Sequence, residues 1–214
     1  MEQNDFNLRC LRVSERIVDN AKEAGLYIKP EDTEYGKGIF RTESLVFMDL
    51  NSKIVTKIKD PFFQANTRNG STREAIYMHI IHNIYFPETN YKLIGITEQD
   101  GYMRLILEQG FVQHLRTPQP QEVQDFLESK GFYAENISKR HTDDVEVFDT
   151  CADNVLVGID EKIYAIDPMF RLKRRALEII KDHLHDNEYV EREVKTLAPV
   201  LPELQKILDE DKHD

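Results

Sequence analysis

The sequence predicts an α+β fold of two unequal lobes: a small β-rich first half carrying one helix, then a mostly helical second half carrying one apolar hairpin. Three observations predict it. The hydrophobic period changes from helical to strand-like after Pro30, turn signals cut the next segment into short runs, and helical periods return after residue 170. With 214 residues, 40% hydrophobic and 31% charged, the chain can bury a real core and is not of disordered composition.

Apolar positions at Leu8, Leu11, Ile17, Val18, Ala21 and Ala24 predict an amphipathic helix over residues 8 to about 24, stopped by Gly25 and Pro30. In GIFRTESLVFMDLNSKIVTKIKD, three β-rich runs follow: Gly38 to Phe40, Leu45 to Leu50 and Lys53 to Ile58. Turn-like RTES and NS separate them, so an antiparallel meander is expected. STREAIYMHIIHNIYF then reads as a helix with Ser71 or Thr72 as N-cap and Glu74 in its first turn, ended by Pro87.

YKLIGITEQDGYMRLILEQGFV predicts two strands joined across Gln99-Asp100-Gly101. TPQPQEVQDFLESKGF predicts a Pro-led helix closed by Gly131. In FDTCADNVLVGIDEKIYAIDP, the runs Val155 to Val157 and Ile163 to Ile166 form the apolar hairpin. RLKRRALEIIKDHL and YVEREVKTLAPVLPELQKIL are expected to be helical, the second interrupted by Pro199 and Pro202.

Composition excludes several classes. No run approaches a membrane span, and MEQNDFNLRC lacks the apolar core of a signal peptide, so a cytoplasmic protein without a membrane partner is expected. The net charge of −11 argues against a nucleic-acid partner, which needs clustered Lys and Arg. The one basic cluster, RLKRR at 171 to 175, reads as the solvated start of a helix. Cys10 and Cys151 fit no metal spacing and read as free thiols of a reducing compartment. His79 and His82 lack an acidic or Cys partner at ligand spacing and read as surface or boundary residues.

Three polar residues bracket the apolar hairpin: Asp149 and Asn154, five apart on a loop, and Asp167, thirteen beyond Asn154. Each alone is an ordinary turn residue. Together they match what phosphoryl transfer from ATP requires: one carboxylate to orient an attacking hydroxyl, and a carboxamide and a second carboxylate as hard oxygen ligands for Mg²⁺.

That spacing resembles the catalytic loop and metal-binding Asp of a protein kinase, and the upstream segments follow in the order the resemblance implies. Lys57 in KIVTKIKD stands for the lysine on the α/β-phosphates, with Lys59 as rival on the same strand face; Glu74 stands for its helix partner; and Leu107 takes the gatekeeper place before Glu108, Gln109 and Gly110, whose backbone would meet the adenine edge. Within that superfamily the chain is most similar to the kinase-like domains of polyvalent proteins of phages and conjugative elements. The shared phrases are RTESLVF, HNIYFPETNYKLIGIT, LEQGFV, the helix ending KGF, and DNVLVGIDEKIYAIDP.

The resemblance covers residues from about 33 to 170. It implies a protein kinase-like two-lobe fold: a helical extension over 1–30, a β-rich lobe of five strands and one helix over 31–112, and a reduced, mostly helical lobe over 113–214. It implies ATP and Mg²⁺ as cofactors, with Asp149 as base or orienting carboxylate, Asn154 and Asp167 as metal ligands, and Lys57 clamping the phosphates under the hold of Glu74. The acceptor would be a hydroxyl of a protein or small molecule.

The departures support the alternative of a non-catalytic module that binds a nucleotide or a partner. Val147 and Phe148 stand where His-Arg precedes the catalytic Asp, Cys151 stands in the place of a phosphate-facing lysine, and Asp167-Pro168-Met169 replaces Asp-Phe-Gly. Gly36 and Gly38 make a weak glycine-rich loop, since the turn Arg41 to Ser44 has no glycine.

Overall fold

The computed structural model describes residues 2–32, 44–63, 72–136, 139–151 and 153–210. Helix α1 spans Glu2–Glu23. Its buried positions Cys10, Ser14, Ile17, Val18 and Ala21 recur at helical spacing and make one face. That face packs on a four-stranded antiparallel sheet formed by β1 (Ser44–Asp49), β2 (Ile54–Lys59), β3 (Tyr91–Gln99) and β4 (Tyr102–Gly110), in the order β1-β2-β4-β3. Ser14 Oγ accepts a 3.0 Å hydrogen bond from Met103 N, tying α1 to β4. After Gly25 at φ +71° the chain pairs Tyr27 with Ile96. A Cβ on Gly95 would lie 2.5 Å from Ile28 Cδ1, so this close crossing requires glycine.

Local turn chemistry sets the two hairpins of this sheet. Asp49 accepts from Asn51 N and Ser52 Oγ, turning β1 into β2. Asp100 and Gly101 both have positive φ, 52° and 80°, the two-residue geometry that matches strand twist between β3 and β4. The expected strand Gly38 to Phe40 and the glycines at 36 and 38 lie outside the described residues. The segment predicted as one helix starts as a 3₁₀ turn, Glu74–Tyr77, before α2 (Met78–Tyr85), and no side chain caps it at Arg73. Ser71, one of the two expected caps, lies outside the described residues.

The second half corrects the expectation of a mostly helical lobe. Between residues 114 and 172 it holds two antiparallel sheets. One has the order β10-β9-β5, from β5 (His114–Arg116), β9 (Val155–Gly158) and β10 (Ile163–Ala165). The other has the order β11-β8-β7-β6, from β6 (Tyr133–Asn136), β7 (Lys139–His141), β8 (Val145–Phe148) and β11 (Met169–Leu172). Helix α3 (Pro120–Ser129) interrupts them, with Gln119 and Glu122 closing a capping box and Gly131 ending the turn at φ +83°.

The cluster RLKRR does not open a helix. Arg171 and Leu172 end β11, and α4 begins at Ala176 (Ala176–His183). Arg171 pairs with Glu146 at 2.7 Å, and Arg174 with Asp144 at 2.7 Å and Asp182 at 2.8 Å, while Lys173 donates to Thr142 O at 3.0 Å. Helix α5 (Glu188–Leu197) is capped by Asn187, which accepts from Tyr189 N and Val190 N, and α6 (Pro202–Glu210) begins on the second proline. Helix α2 packs against α4, α5 and β3, and its Ile80 and Ile81 are fully buried in a core running from Ile17 of α1 to Val194 of α5. Among the described residues no helix is long and apolar enough to cross a membrane.

Candidate functional site

Strand β8 is buried through Val147 and Phe148, and the chain leaves it at Asp149 with φ +56°. Asp tolerates this left-handed conformation better than most side chains, since its short polar group bonds locally. Asn154 holds it there: its Nδ2 donates to Asp149 O and Asp149 Oδ2, both at 2.9 Å. Cys151 is exposed, with Sγ 3.5 Å from Asp149 Oδ1. Antiparallel pairing then returns the chain. Ala165 faces Val155 across the β9–β10 hairpin, and Ile166 N donates to Asn154 O at 2.8 Å. Met169 faces Phe148 in the β8–β11 pair. Asp149 follows one partner and Asp167 precedes the other, so both carboxylates emerge at one end of this pair.

Asp167 is met from the first sheet. Lys57 and Lys59 lie two apart on β2, facing Leu107 and Leu105 of β4, and so project to one side. Lys59 Nζ donates to Asp167 Oδ1 at 2.6 Å, and Lys57 Nζ lies 3.4 Å from Oδ2. Lys57 also donates to Tyr91 Oη at 2.9 Å and to Ile166 O at 3.0 Å. The single proton of Tyr91 Oη serves either Ile166 O, at 2.9 Å, or Asp167 Oδ1, at 3.0 Å. Gln109 Nε2 reaches Ile166 O at 3.1 Å, so three donors from three strands converge on one carbonyl. Burial of Asp167 opposes its ionisation, but Lys59 and Lys57, with the Lys59 and Tyr91 hydrogen bonds, outweigh it and hold the carboxyl well below the usual range.

His82 underlies this cluster, its ring 4.6 Å from that of Tyr91. Its Nε2 lies 2.9 Å from Thr89 O, an acceptor, so Nε2 carries the proton. Burial pushes its pKa down to about 3, so the ring is neutral. His79 and His82 are 5% and 2% exposed, which corrects the expectation of surface or boundary histidines: α2 is covered on both sides, and apolar neighbours at 80 and 81 carry the flanking histidines inside. A cavity of about 30 Å³ separates α2 from the sheet, lined by Lys59, His79, His82, Leu107 and Asp167 among others, enough for a water.

Glu74 is not brought to Lys57. Its Oε1 accepts from Ala176 N at 3.3 Å, at the start of α4, where a carboxylate suits the helix dipole. Leu107 is buried beside Lys57 on the neighbouring strand. Glu108 is half-buried, Gln109 turns inward to Thr89 O at 2.6 Å, and Gly110 is exposed at the end of β4. An open cleft of about 380 Å³ adjoins that end, bounded by Gly110, Phe111, Gln113, Gly158, Asp160 and Tyr164, large enough for a small ligand.

Tyr91 and the inward side chain of Gln109 carry no sequence signal, since neither lies at a motif spacing. Among the described residues no group of three His, Cys, Asp or Glu could hold a metal. Asp167 and the Asn154 carboxamide oxygen are hard donors, and two protein oxygens suit Mg²⁺, which keeps waters and takes substrate phosphates as its other ligands.

A family model described as a serine/threonine/tyrosine kinase found in polyvalent proteins matches residues 12–174. No curated protein and no solved structure matches the chain.

Proposed function

The chain belongs to this family of serine/threonine/tyrosine kinases found in polyvalent proteins, and from that premise we propose that it is an ATP- and Mg²⁺-dependent phosphotransferase acting on a hydroxyl of a protein or small-molecule acceptor. The observation that carries the proposal is the convergence of Lys57 and Lys59 on Asp167, with Asp149 delivered to the same end of the β8–β11 pair. In this reading residues 31–112 and 113–214 are two lobes joined after Gly110, and residues 1–30 are an extension. Backbone groups of Glu108, Gln109 and Gly110 meet the adenine edge.

Asp149 orients the acceptor hydroxyl and takes its proton as the oxygen attacks the γ-phosphorus, while the bond from that phosphorus to the β,γ-bridging oxygen breaks and ADP leaves with the bonding pair. Asn154 fixes Asp149 through its two hydrogen bonds and offers its carboxamide oxygen, with Asp167, to the metal. Bound there, Mg²⁺ neutralises the phosphate charge. The lysine pair supplies the remaining positive charge in a partly dry site, where it acts more strongly than in water. With Glu74 engaged at Ala176, holding Lys57 falls to Tyr91, Ile166 O and Asp167.

A second reading, a nucleotide- or partner-binding module without turnover, draws on Cys151 in the phosphate-facing place and on Pro168 after Asp167. Thermal shift with ATP, with and without Mg²⁺, and ATP turnover separate the two. A Mg²⁺-dependent shift lost in Asp167→Ala, with turnover lost in Asp149→Ala, supports the enzyme. A shift without turnover leaves the binding module, and no shift with any nucleotide defeats both.

A further inference from the structure

Strand β3 is the outermost strand of its sheet, in the order β1-β2-β4-β3, so backbone groups on its outer side take partners from elsewhere. At Ile96 the chain after α1 supplies them: Ile28 N donates to Ile96 O and Ile96 N to Leu26 O, both at 2.9 Å. At the start of the strand, side chains do. The Asn83 carboxamide of α2 accepts from Tyr91 N at 2.7 Å and donates to Tyr91 O at 2.8 Å, as a neighbouring strand would. Arg192 of α5 donates through Nη2 to the same carbonyl at 2.6 Å and to Asn90 Oδ1 at 3.0 Å. Glu193 anchors that guanidinium. Its Oε1 accepts from Arg192 Nε at 2.8 Å, its Oε2 accepts from Leu93 N at 2.9 Å, and His79 Nε2 lies 3.5 Å from Oε2. Glu193 is 1% exposed, and a buried carboxylate is costly unless paired and hydrogen-bonded, so this knot ties α5 firmly to β3.

The side chain of Tyr91 ends in the cluster around Asp167, its Oη 2.9 Å from Ile166 O and 3.0 Å from Asp167 Oδ1. A tyrosine has a rigid ring and two torsions, so the position of its backbone decides where its hydroxyl lies. Asn83 alone would leave the start of β3 free to pivot about one side chain, and the tie to α5 removes that freedom. We infer that Arg192, anchored by Glu193, is a positioning residue for Asp167: by fixing the backbone of Tyr91 it fixes the hydroxyl that meets the metal-binding carboxylate. The inference rests on the proposed nucleotide site and extends it to a helix outside residues 12–174, the span that the family model matches. Arg192 acts only through Tyr91 and is no part of the cluster itself. Partners that orient a metal ligand from behind are worth about ten- to a hundredfold in metal affinity.

Titration calorimetry on the full chain tests this by measuring ATP affinity in saturating Mg²⁺ and in EDTA. Arg192→Met keeps the apolar stem of a side chain that is 34% exposed, so the variant is expected to fold. Its gain in ATP affinity on adding Mg²⁺ is expected to fall about tenfold, or to vanish where the wild-type gain is smaller. In a Tyr91→Phe background, where the link is already cut, Arg192→Met is expected to take nothing further from that gain. A residue that only stabilises the fold would weaken ATP by the same factor with and without Mg²⁺, leaving the gain intact. An unchanged gain in Arg192→Met therefore overturns the inference, and so does a full further loss in the Tyr91→Phe background. If Arg192→Met does not fold, Arg192→Gln, which keeps a donor but loses the fork, carries the comparison; if Tyr91→Phe does not fold, the single variant decides alone. Wild type whose ATP binding shows no gain from Mg²⁺ defeats the metal site of the proposed function and this inference with it. Wild type with a gain that Arg192→Met keeps defeats the inference only.

Discussion

Phe148 and Met169 are direct cross-strand partners in the β8–β11 pair, and this places Asp149 and Asp167 at the same end of one sheet. The seventeen residues between the two carboxylates are folded back by two pairings in series. The β9–β10 hairpin returns the chain to Asn154, and β8–β11 then carries it past Asp149. The hairpin alone would set Asp167 near Asn154 through the Ile166 N to Asn154 O bond. Only the outer pair brings in Asp149, so the geometry depends on apolar strands on both sides of the loop.

Tyr91 joins this frame to the first sheet, and its hydroxyl is the group to remove. In Tyr91→Phe, Lys57 loses one acceptor, and Ile166 O and Asp167 lose a shared donor, all in a buried setting. A loss of about 1–3 kcal/mol of unfolding free energy is expected, because the buried lysine keeps its charge with one partner fewer. Urea denaturation measures it through the midpoint at unchanged slope. A change below about 0.5 kcal/mol, the size of an ordinary surface substitution, would show that the hydroxyl is not part of the frame.

Asn154 separates holding the loop from holding the fold. Its bonds to Asp149 O and Oδ2 are near the surface, so Asn154→Ala is expected to cost no more than about 1 kcal/mol of stability. Phosphotransfer is expected to fall by roughly 100-fold or more, since the positioned carboxylate loses its support. Calorimetric melting and steady-state ATP turnover on one preparation test both halves. Turnover within a factor of about three of wild type would mean that Asp149 is oriented by something else.

Much of the fold follows from local rules. Helix α1 and strands β1 to β4 are read from hydrophobic period, and the β3–β4 turn from Asp-Gly with both residues at positive φ. Strands β5 to β7 leave little sequence signal because they are short and polar; all three residues of β5 are exposed and show no alternation, and β5 pairs with β9 more than forty residues on. The order of Lys57, Asp149, Asn154 and Asp167 is legible because it is an order along the chain. The destination of Glu74 is not, since its acceptor role at Ala176 spans 102 residues and exists only once α4 has docked. Tyr91 reaches Ile166 across 75 residues for the same reason. Lys59 was visible as a rival to Lys57; what the structure adds is that both meet one carboxylate.

Cys151 permits a gain-of-function experiment. It is exposed, its Sγ lies 3.5 Å from Asp149 Oδ1, and it holds the place where the family resemblance leads one to expect a lysine. Cys151→Lys puts a cation next to the attacking hydroxyl and the transferring phosphoryl group, where charge develops in the transition state. Turnover is expected to rise by about tenfold, equivalent to about 1.4 kcal/mol of added transition-state stabilisation. Unchanged or lower turnover in a folded variant would mean that position 151 does not face the phosphates.

His82 makes the fold sensitive to mild acid. Burial holds its folded-state pKa at about 3, below the 6.5 of the unfolded chain. The depressed value means that the unfolded state binds a proton first as pH falls. The contribution is therefore fully present above about pH 6.5 and is lost progressively on acidification toward pH 3. Below pH 6.5 the slope should approach about 1.4 kcal/mol per pH unit from this group. His82→Gln keeps a donor for Thr89 O and removes the titration, so its stability is expected to be lower at neutral pH but flatter between pH 6.5 and 5. The difference in urea midpoint between wild type and variant, followed across that interval, isolates His82 from the six other histidines. Parallel curves would show that His82 is protonated in the folded protein, and the neutral ring under Tyr91 would have to be abandoned.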